Sequence, residues 1–598
     1  MEKKHAVLCL GLIALLASCS VAIGPGGNNS HETTGHSSSS KASEVEGADD
    51  YSYYSGEIEA AETYAKAKAY VGSLNSYQYL PCVIFSFAED IPYVSVKDYY
   101  SSFFNSLFGK FFAVDGDEVV NRNTGVPLHF DVDNNAIWCT DFDQFVNFTA
   151  TKLPVDAFNA GDEETDPLSY LDEDASTYIK GNKITFNLSA YHAQLVSYQE
   201  GIYVPFSFLD TITCMEIGYH FVWNGDAFYL CDANYLYSGS TLTDYGRSFY
   251  NGSLNSSSRS QSFADYNYYS FLFQMRNFYG RYYTLGISDL DAEFERLGLK
   301  SKLLSRIPKT ADEAIATALI QVFADGGHTY FKNRGFGVKY SASEDENLQG
   351  LVLDDNRYYK GAAVYQTLSS YRQMNHINGQ GLYISGQTAL IVFDEFSLNS
   401  KGLSPTSKNV TSDATSTFGL FYNAFKSIAK NSAIKNVVFD VSMNGGGAAI
   451  ALGHALSFIT DDAISLNMEN PHTGATFKEV IYVDNDFDGD ALDEDSYAGK
   501  YNFYILTSPY SFSCGNAFPC IAKDNGWAKI IGKKSGGGDC IVDAGVSADG
   551  TRWSMSGSTA LIHEDGSSFD SGAEVDYELD YSYYYNLSKL NSFLLSKD

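Results

Sequence analysis

Ser513 lies where a predicted buried strand gives way to a predicted helix, within residues 506–516. A serine at such a junction points its hydroxyl outward, and the unpaired amides of the helix N-terminus can stabilise an oxyanion. The chemistry that this placement suits is acyl transfer by a serine nucleophile. The same position also suits an ordinary N-cap serine, so Ser513 taken alone leaves both interpretations open.

Three consecutive glycines follow a second predicted strand, in the run Asn444-Gly445-Gly446-Gly447. Because glycine has no side chain, successive glycines let backbone N–H groups point into a site. A tight turn is the alternative interpretation of this run. No Gly-Lys-Ser/Thr sequence follows it, which excludes a phosphate-binding P-loop.

A serine nucleophile needs a base, and histidine is the most frequent one. His328 directly follows a predicted helix stop at Asp325-Gly326-Gly327, on backbone shaped by glycine. A lone histidine in a loop is usually a solvated polar residue, which is the alternative for His328. His454 falls within a predicted helix, where a core or surface position is expected. The other candidate bases are His376, His472 and His563.

A separate acidic run has the spacing of a calcium-binding loop. Carboxylates at alternating positions, a glycine for the sharp turn and a final carboxylate are typical of such loops. The final residue here is aspartate instead of glutamate, and no flanking helices are predicted, so a solvated acidic turn is the alternative. A structural calcium ion is therefore a hypothesis, with ligands Asp484, Asp486, Asp488, Asp490 and Asp495.

The composition excludes several classes of partner. The chain has 598 residues, with 40 Lys and Arg against 73 Asp and Glu, for a net charge of −33. Nucleic-acid binding and polybasic attachment to anionic lipid both need clustered Lys and Arg, so neither is expected. With 44% hydrophobic and 19% charged residues the chain is typical of a globular protein. Its length predicts roughly two to four domains.

The N-terminus has the pattern of a secretion signal. Two lysines precede an apolar run over residues 6–17, which is too short to span a bilayer. Small residues before Cys19 resemble a bacterial lipobox, so Cys19 would carry the lipid after cleavage. An ordinary secretory signal or an uncleaved anchor is the alternative. We predict a signal peptide over residues 1–19, a flexible tether over 20–55, and a lipid-anchored protein on the outer face of the cell membrane.

Nine cysteines are present, and removal of Cys9 with the signal and lipidation of Cys19 would leave seven. The odd number and irregular spacing predict no disulfide framework, although some pairs could form outside the cytoplasm. No Cys-x-x-Cys pair occurs, so a structural zinc site is not expected. The seven are Cys82, Cys139, Cys214, Cys231, Cys514, Cys520 and Cys540.

Two regions precede the predicted catalytic core. Residues 56–245 consist of short apolar runs broken by Asp, Asn and Gly, which predicts an α+β accessory domain. Two segments in it, 91–104 and 202–214, resemble each other and the small stalk modules of some bacterial surface proteins. Residues 246–335 are predicted as a helical subdomain, in which Thr310 and Glu313 form a capping box.

Residues 336–598 alternate buried strands with helices, a pattern typical of α/β layering. The predicted strands cover residues 389–393, 437–441, 503–507 and 529–531. The predicted helices cover residues 418–428, 448–459 and 513–522.

In order and context, these features resemble the C-terminal-processing (tail-specific), tricorn-like serine peptidases, a family that includes retinoid-binding modules. The resemblance spans residues 266–579, roughly half of the chain. It implies a crotonase-like (ClpP/crotonase) α/β core, a peptide or protein substrate and no required cofactor. Its anchors are Asp325-Gly326-Gly327-His328-Thr329, Val438-Phe439-Asp440 before the glycine run, the Ser513 helix, Ile530-Ile531-Gly532 followed by Gly536-Gly537-Gly538, and Gly572-Ala573-Glu574-Val575-Asp576.

The family uses either a Ser–Lys dyad or a Ser–His pair with an acidic orienting residue. The lysine position of the first branch is Gly538 here, so the dyad is not supported, although Lys533 and Lys534 lie close in sequence. The peptide-binding module typical of that branch would have to fit between His328 and residue 389. That interval is too short for a full module.

The resemblance therefore implies the Ser–His mechanism for this chain. Ser513 would attack a peptide carbonyl, and His328 would take the proton and return it to the leaving amine. The amides of Gly446 and Cys514 would hold the oxyanion. The acidic residue that orients His328 would be Asp570, which we favour, or Glu574.

The chain departs from the family pattern at two positions. The usual arginine after the second strand is Ser442, and the usual glutamate beyond the serine is Asn516. These changes either reshape the pocket or mark a peptidase-like protein that only binds peptides or apolar ligands. A second alternative is an adhesion or glycan-binding lipoprotein that works through its N-terminal region.

Overall fold

The computed structural model describes residues 54–149, 151–158, 166–239, 241–338 and 357–597. The predicted signal peptide, the lipidation site at Cys19 and almost all of the predicted tether lie outside these residues. Among the helices of the described ranges, none combines the length and apolar character that crossing a bilayer requires.

A six-stranded sheet lies at the centre of the C-terminal half. Its first two strands are antiparallel, and all of its other neighbouring strands are parallel. In order across the sheet, the strands are Gly381–Ser385, Thr388–Val392, Asn436–Asp440, Asn502–Thr507, Lys529–Gly532 and Tyr577–Glu578.

Helices cover both faces of this sheet. Along the strand Thr388–Val392, alternate residues enter different apolar cores: Ala389 and Ile391 enter one, while Leu390 and Val392 enter the other. Burial of both faces explains why the strand is a continuous apolar run. The helices on one face are Thr417–Ile428, Ala449–Ser457 and Cys514–Asp524, and those on the other are Arg357–Met374 and Leu587–Leu595.

These elements confirm the strands and helices predicted for residues 389–531 to within two residues at each end. The prediction of a capping box at Thr310 is wrong. The helix Pro308–Gln321 already begins at Pro308, so Thr310 lies within its first turn. Proline at the first position stabilises that start, because its missing N–H would have no partner there.

The N-terminal half is rich in β-structure. The two segments predicted to resemble each other are each a strand followed by a helix, and their strands, Pro92–Ser95 and Gly201–Pro205, pair antiparallel. Three sheets have the strands Ala60–Tyr64, Cys82–Phe85, Pro92–Ser95, Gly201–Pro205 and Val196–Tyr198; Ile184–Asn187, Ala136–Cys139, Pro127–Asp131, Glu118–Asn121 and Phe112–Asp115; and Phe221–Trp223, Phe228–Leu230, Lys68–Ser73 and Ser76–Tyr79. The remaining two-stranded sheet joins Tyr237–Ser238 to Thr241–Leu242.

The other helices are mainly short and lie in the first half of the chain. The longest of them, Gln261–Asn277, is almost entirely buried. They are Asp98–Phe104, Asn105–Phe108, Phe142–Phe145, Leu188–Tyr191, Phe206–Cys214, Met215–Ile217, Ala233–Leu236, Asp244–Tyr250, Gln261–Asn277, Tyr282–Leu285, Leu290–Arg296, Lys300–Leu303 and Pro308–Gln321, followed near the C-terminus by Phe569–Ser571 and Tyr581–Tyr583.

A seven-stranded sheet joins the two halves. Its strands are Ser169–Leu171, Thr177–Ile179, Tyr330–Asn333, Ile464–Asn470, Ala475–Val483, Cys540–Val546 and Arg552–Leu561. The largest apolar core likewise combines residues from 67 to 336 with residues from 546 to 555. The boundaries predicted at residues 245 and 335 are therefore crossed by shared sheets and a shared core. All seven cysteines within the described ranges are buried free thiols.

Candidate active site

Ser513 occupies a strained backbone position. It caps the helix Cys514–Asp524 with φ 56° and ψ −127°, a conformation that residues with a side chain rarely adopt. Its N–H donates to the carbonyl of Gly537 at 3.0 Å, and its own carbonyl accepts from the amide of Ala517 at 2.8 Å. Strain that is held in place from both sides is typical of functional positions.

The glycine run packs directly against Ser513. Gly446 has φ 114°, and a Cβ placed on it would lie 2.6 Å from the Cβ of Ser513. Only glycine allows this approach, because any side chain would collide with the serine. The carbonyl of Gly446 accepts from the amide of Phe396 at 2.8 Å, which fixes the run from its other side. The structure thus brings together the serine and the glycines that the sequence analysis singled out.

The two amides expected to hold an oxyanion differ in their hydrogen bonds in this structure. The amide of Cys514, the first residue of the helix, donates to no acceptor in the described part of the chain. The amide of Gly446 donates to Oδ1 of Asn444 at 2.9 Å and is therefore engaged. The Cys514 thiol donates to the carbonyl of Gly447, and burial raises the pKa of this thiol to about 12, so it stays protonated.

The loop that carries His328 is anchored by the Asp325 carboxylate. One oxygen of Asp325 accepts from the amides of Gly327, His328 and Thr329 at 3.2, 3.1 and 2.9 Å. The other oxygen accepts from the hydroxyl of Ser556, on the strand Arg552–Leu561, at 2.6 Å. The loop is therefore held to the seven-stranded sheet.

The imidazole of His328 is buried beside the nucleophile segment. Its ring centroid lies 4.8 Å from that of Phe512, the residue before Ser513. Within the described residues neither imidazole nitrogen has a hydrogen-bond partner, so a Ser513–His328 hydrogen bond is not formed here. Burial lowers the pKa of His328 even though nearby carboxylates raise it. A neutral imidazole is the form that can accept a proton.

Three carboxylates contribute to the field at His328: those of Asp325, Asp539 and Asp570. Arg281 holds two of them, with Nη1 3.2 Å from Asp539 and Nη2 2.6 Å from Asp570. Asp570 also accepts from the amide of Gly538 at 3.0 Å. The sequence analysis missed Arg281, Asp539 and the anchoring role of Asp325. Of these, only the role of Asp325 could have been inferred from the sequence, because Asp325 lies three residues before His328.

The Glu574 carboxylate faces solvent. Its side chain is 69% exposed and pairs with Lys534 at 2.5 Å. Lys533 likewise pairs with Glu578, so both nearby lysines face solvent-exposed carboxylates. Of the two acidic residues proposed to orient His328, the structure favours Asp570, because its charge acts on the imidazole while Glu574 lies in an exposed pair with Lys534.

Asn516 connects the nucleophile helix to the segment that carries Asp570. Its Nδ2 donates to the carbonyl of Phe569 at 2.8 Å, and its Oδ1 accepts from the Ser535 hydroxyl at 2.6 Å. That hydroxyl also accepts from the amide of Ala573. The asparagine thus positions this side of the site without carrying charge.

Three of the four other candidate bases have side-chain partners away from Ser513. His454 is buried and contacts the Asp166 carboxylate at 3.1 Å, as its predicted place in a core helix allows. The His472 Nε2 contacts the carbonyl of Tyr279, and His563 pairs with Asp524.

The acidic run brings three of its five predicted calcium ligands together. Asp484, Asp486 and Asp488 each offer an oxygen, and these oxygens lie within 4.8 Å of one another. The Asp490 carboxylate accepts from the amide of Leu492, and that of Asp495 accepts from the amide of Asn485. Burial and Asp486 raise the pKa of Asp495 to about 7. Calcium binding stays a prediction.

Comparison with known proteins relates the C-terminal part of the chain to a family. Residues 389–579 match the model of peptidase family S41. None of the curated proteins matches the chain. The chain is thus a mixed α/β protein with a β-rich N-terminal half and a domain that matches a peptidase family.

Three solved structures show partial likeness. A candidate peptidase of Parabacteroides merdae has 16% identity and a TM-score of 0.39, over 56% of this chain and 98% of its own. Mature CPAF complexed with lactacystin has 13% identity and a TM-score of 0.36, over 56% and 100%. A lipoprotein of Streptococcus agalactiae has 12% identity and a TM-score of 0.33, over 56% and 96%. All three TM-scores lie below 0.5.

Proposed function

We propose that this protein is a serine peptidase that hydrolyses peptide bonds through Ser513 and His328. The observation that carries the proposal is the strained Ser513 at a helix N-terminus, pressed against Gly446 within a region that matches peptidase family S41. A buried histidine whose pKa is lowered lies against the residue before that serine. This combination supplies a nucleophile, a base and an oxyanion donor.

The proposed mechanism has two halves. In the first, Oγ of Ser513 attacks the peptide carbonyl while His328 takes the proton of the Ser513 hydroxyl. The amide of Cys514 donates to the oxyanion that forms. The carbon–nitrogen bond then breaks as His328 returns the proton to the leaving amine. In the second half, water activated by His328 hydrolyses the acyl-enzyme, and Ser513 recovers its proton.

Two local changes complete the site in this mechanism. His328 comes within hydrogen-bond distance of Ser513 when substrate binds, because catalytic hydrogen bonds are often long in empty sites. The amide of Gly446 leaves Asn444 and becomes the second oxyanion donor. Asp570, held by Arg281 and Gly538, orients the imidazolium and stabilises its charge.

The finer parts of the proposal rest on the sequence. We place the catalytic region in a crotonase-like core, for which the parallel central strands and their covering helices are supporting observations. Lipidation at Cys19 would anchor the protein to the outer face of the cell membrane. Its substrates would then be extracytoplasmic peptides or proteins.

The test is covalent labelling by a serine-directed fluorophosphonate, combined with peptide hydrolysis. Wild-type protein should label at Ser513, and Ser513→Ala should lose labelling and about 10⁴-fold or more of turnover. Ser592→Ala, on the C-terminal helix, is the matched control and should behave as wild type. Unchanged hydrolysis by Ser513→Ala would refute the assignment.

A second candidate function is peptide binding without catalysis. Two observations favour it: the engaged amide of Gly446 and the absence of a Ser513–His328 hydrogen bond within the described residues. A binding protein would capture peptides but show no labelling at Ser513.

A further inference from the structure

A partly buried charge cluster lies next to the glycine run, on the opposite face of the central sheet from the helix that begins after Ser513. Arg372, on the helix Arg357–Met374, donates from Nη1 and Nη2 to both oxygens of Asp394 at 2.8 and 2.7 Å. Asp394 follows the strand Thr388–Val392, whose last residue pairs with Asp440 on the next strand. A bidentate guanidinium–carboxylate pair is a strong and directional contact.

The same guanidinium offsets a second acidic group. Asp440 is 1% exposed, and burial raises the pKa of its carboxyl, while the charge of Arg372 lowers it. One oxygen of Asp440 accepts from the amide of Ser442 at 2.9 Å. Without Arg372, the buried Asp440 carboxylate would lose the positive charge that offsets it, and an uncompensated buried charge is strongly unfavourable.

Tyr585 links this cluster to the residues before the glycine run. Arg372 lies over its ring at 4.9 Å and donates to its hydroxyl at 3.2 Å. The Tyr585 hydroxyl is in turn 3.0 Å from the hydroxyl of Ser442. Arg372, on a helix that lies earlier in the chain, thus reaches Ser442 through the Tyr585 hydroxyl.

Hydrogen bonds connect residues 441–444, which lead into the glycine run, to residues 508–512, which lead to Ser513. The carbonyls of Val441 and Ser442 accept from the hydroxyls of Ser511 and Ser508 at 2.7 and 2.5 Å. Two residues further on, the carbonyl of Asn444 accepts from the amide of Phe512 at 3.1 Å. A shift of Ser442 would therefore move both the glycine run and the loop that ends at Ser513.

The helix Arg357–Met374 also contacts the loop that ends at Ser513 directly. The ring of Tyr365 lies 4.9 Å from that of Tyr510, and Gly361 faces the backbone of Pro509. The helix therefore contacts this loop at Pro509 and Tyr510, a few residues before Ser513.

We propose that Arg372 is a positioning residue, which acts through Tyr585 and Ser442 to hold the glycine run and the Ser513 loop in register. The inference rests on the proposed function for its kinetic consequence, but its structural consequence does not depend on catalysis. The guanidinium touches no reacting atom. Its effect is to keep Gly446 and Ser513 at the separation that acyl transfer needs.

The experiment compares Arg372→Met, Arg372→Lys and Tyr585→Phe in the full chain. Tyr585→Phe removes only the linking hydroxyl and should lower kcat about fivefold, with KM within about twofold. Arg372→Met should lower kcat about 10²-fold, the effect expected of a misplaced reacting group, and Arg372→Lys should recover part of it. Tyr583→Phe and the exposed Arg296→Met are matched controls and should leave kcat unchanged.

Hydrogen–deuterium exchange supplies a readout that is independent of activity. In Arg372→Met and Tyr585→Phe, peptides covering residues 440–448 and 508–516 should exchange faster, while residues 464–470 keep the wild-type rate. Variants that lose thermal stability yet keep kcat and the exchange of these two segments would overturn the inference. If wild-type protein neither labels nor cleaves, the proposed function fails, and the exchange data alone still decide whether Arg372 holds the loops.

Discussion

The serine side of the candidate site, residues 441–447 and 508–516, is held differently from the histidine side, formed by His328, Asp325, Arg281, Asp539 and Asp570. On the serine side, backbone hydrogen bonds and close glycine contacts define nearly every position. On the histidine side, the backbone loop is anchored, but the imidazole nitrogens have no partner among the described residues.

This difference shows which part of the candidate site already has its hydrogen bonds in this structure. The serine side already has its strained backbone and a free amide, so it needs little further ordering. The histidine side has a buried imidazole and the Asp570 carboxylate paired with Arg281, but the imidazole has no hydrogen-bond partner among the described residues. Preorganised backbone dipoles contribute to catalysis without rearrangement, whereas a mobile base must first be aligned.

The largest expected effect is the difference between Asp570 and Glu574, the two carboxylates proposed to orient His328. Asp570→Asn should lower kcat/KM by about 10²- to 10⁴-fold, because the imidazolium loses its stabilising charge. Glu574→Gln, at an exposed ion pair, is the matched variant and should change kcat/KM by less than about twofold. Peptide hydrolysis by the two proteins measures the contrast. The reverse order of effects would assign the orienting role to Glu574.

A glycine substitution tests the serine side. Gly446→Ala should lower kcat about 10²-fold or more, because its Cβ would displace Ser513 and disturb an oxyanion donor. Gly566→Ala is a suitable control, since Gly566 also has positive φ, at 82°, but open space around it. Equal losses of activity and stability in both variants would mean that backbone strain, not contact with the serine, is responsible.

The pH dependence of kcat/KM examines the protonation of His328. The pKa of His328 is lowered from the usual 6.5, so the base stays neutral and active below that pH. The acidic limb should fall tenfold per unit, with its midpoint below 6.5, because only the neutral imidazole accepts a proton. An acidic limb centred above pH 6.5 would contradict a buried neutral base.

The smallest effect concerns the acidic run at Asp484, Asp486 and Asp488, which lies outside both sides of the site. Millimolar calcium should raise Tm by about 3–8 °C if these carboxylates hold the ion in the native state only. Asp488→Asn should reduce the shift, and magnesium at the same concentration serves as the ion control. A Tm that does not respond to calcium would mean that this run is a solvated acidic turn and not a calcium site.

Particular residues show how much of the fold and of the candidate site the sequence predicts. Ser513 and the glycine run were recognisable because each follows a short apolar strand, and the strands of an α/β core end together. Strand boundaries were predicted to within two residues for the same reason. The start of the helix at Pro308 was missed, because a capping pattern at Thr310 competed with proline, which is equally suited to a first turn.

The partners of His328 were beyond sequence reasoning. Arg281 lies far from Asp539 and Asp570 in the chain, and no local period connects them. Arg372 shows the same limit, since it reaches Asp394 and Tyr585 only after a helix packs on the sheet. Charged side chains of this kind are placed by the packing of their elements.

The sequence by itself determined the local conformations: a serine before a helix, glycines where two backbones meet, and alternating apolar runs that build a central sheet. Only the tertiary structure decided which carboxylates act on His328, that the amide of Gly446 is engaged by Asn444, and which groups Arg372 contacts. Local conformation follows from short-range sterics and hydrogen bonds, which neighbouring residues encode. Which charged groups pair depends on distances between segments far apart in the chain. Those distances are set only once the helices and strands have packed.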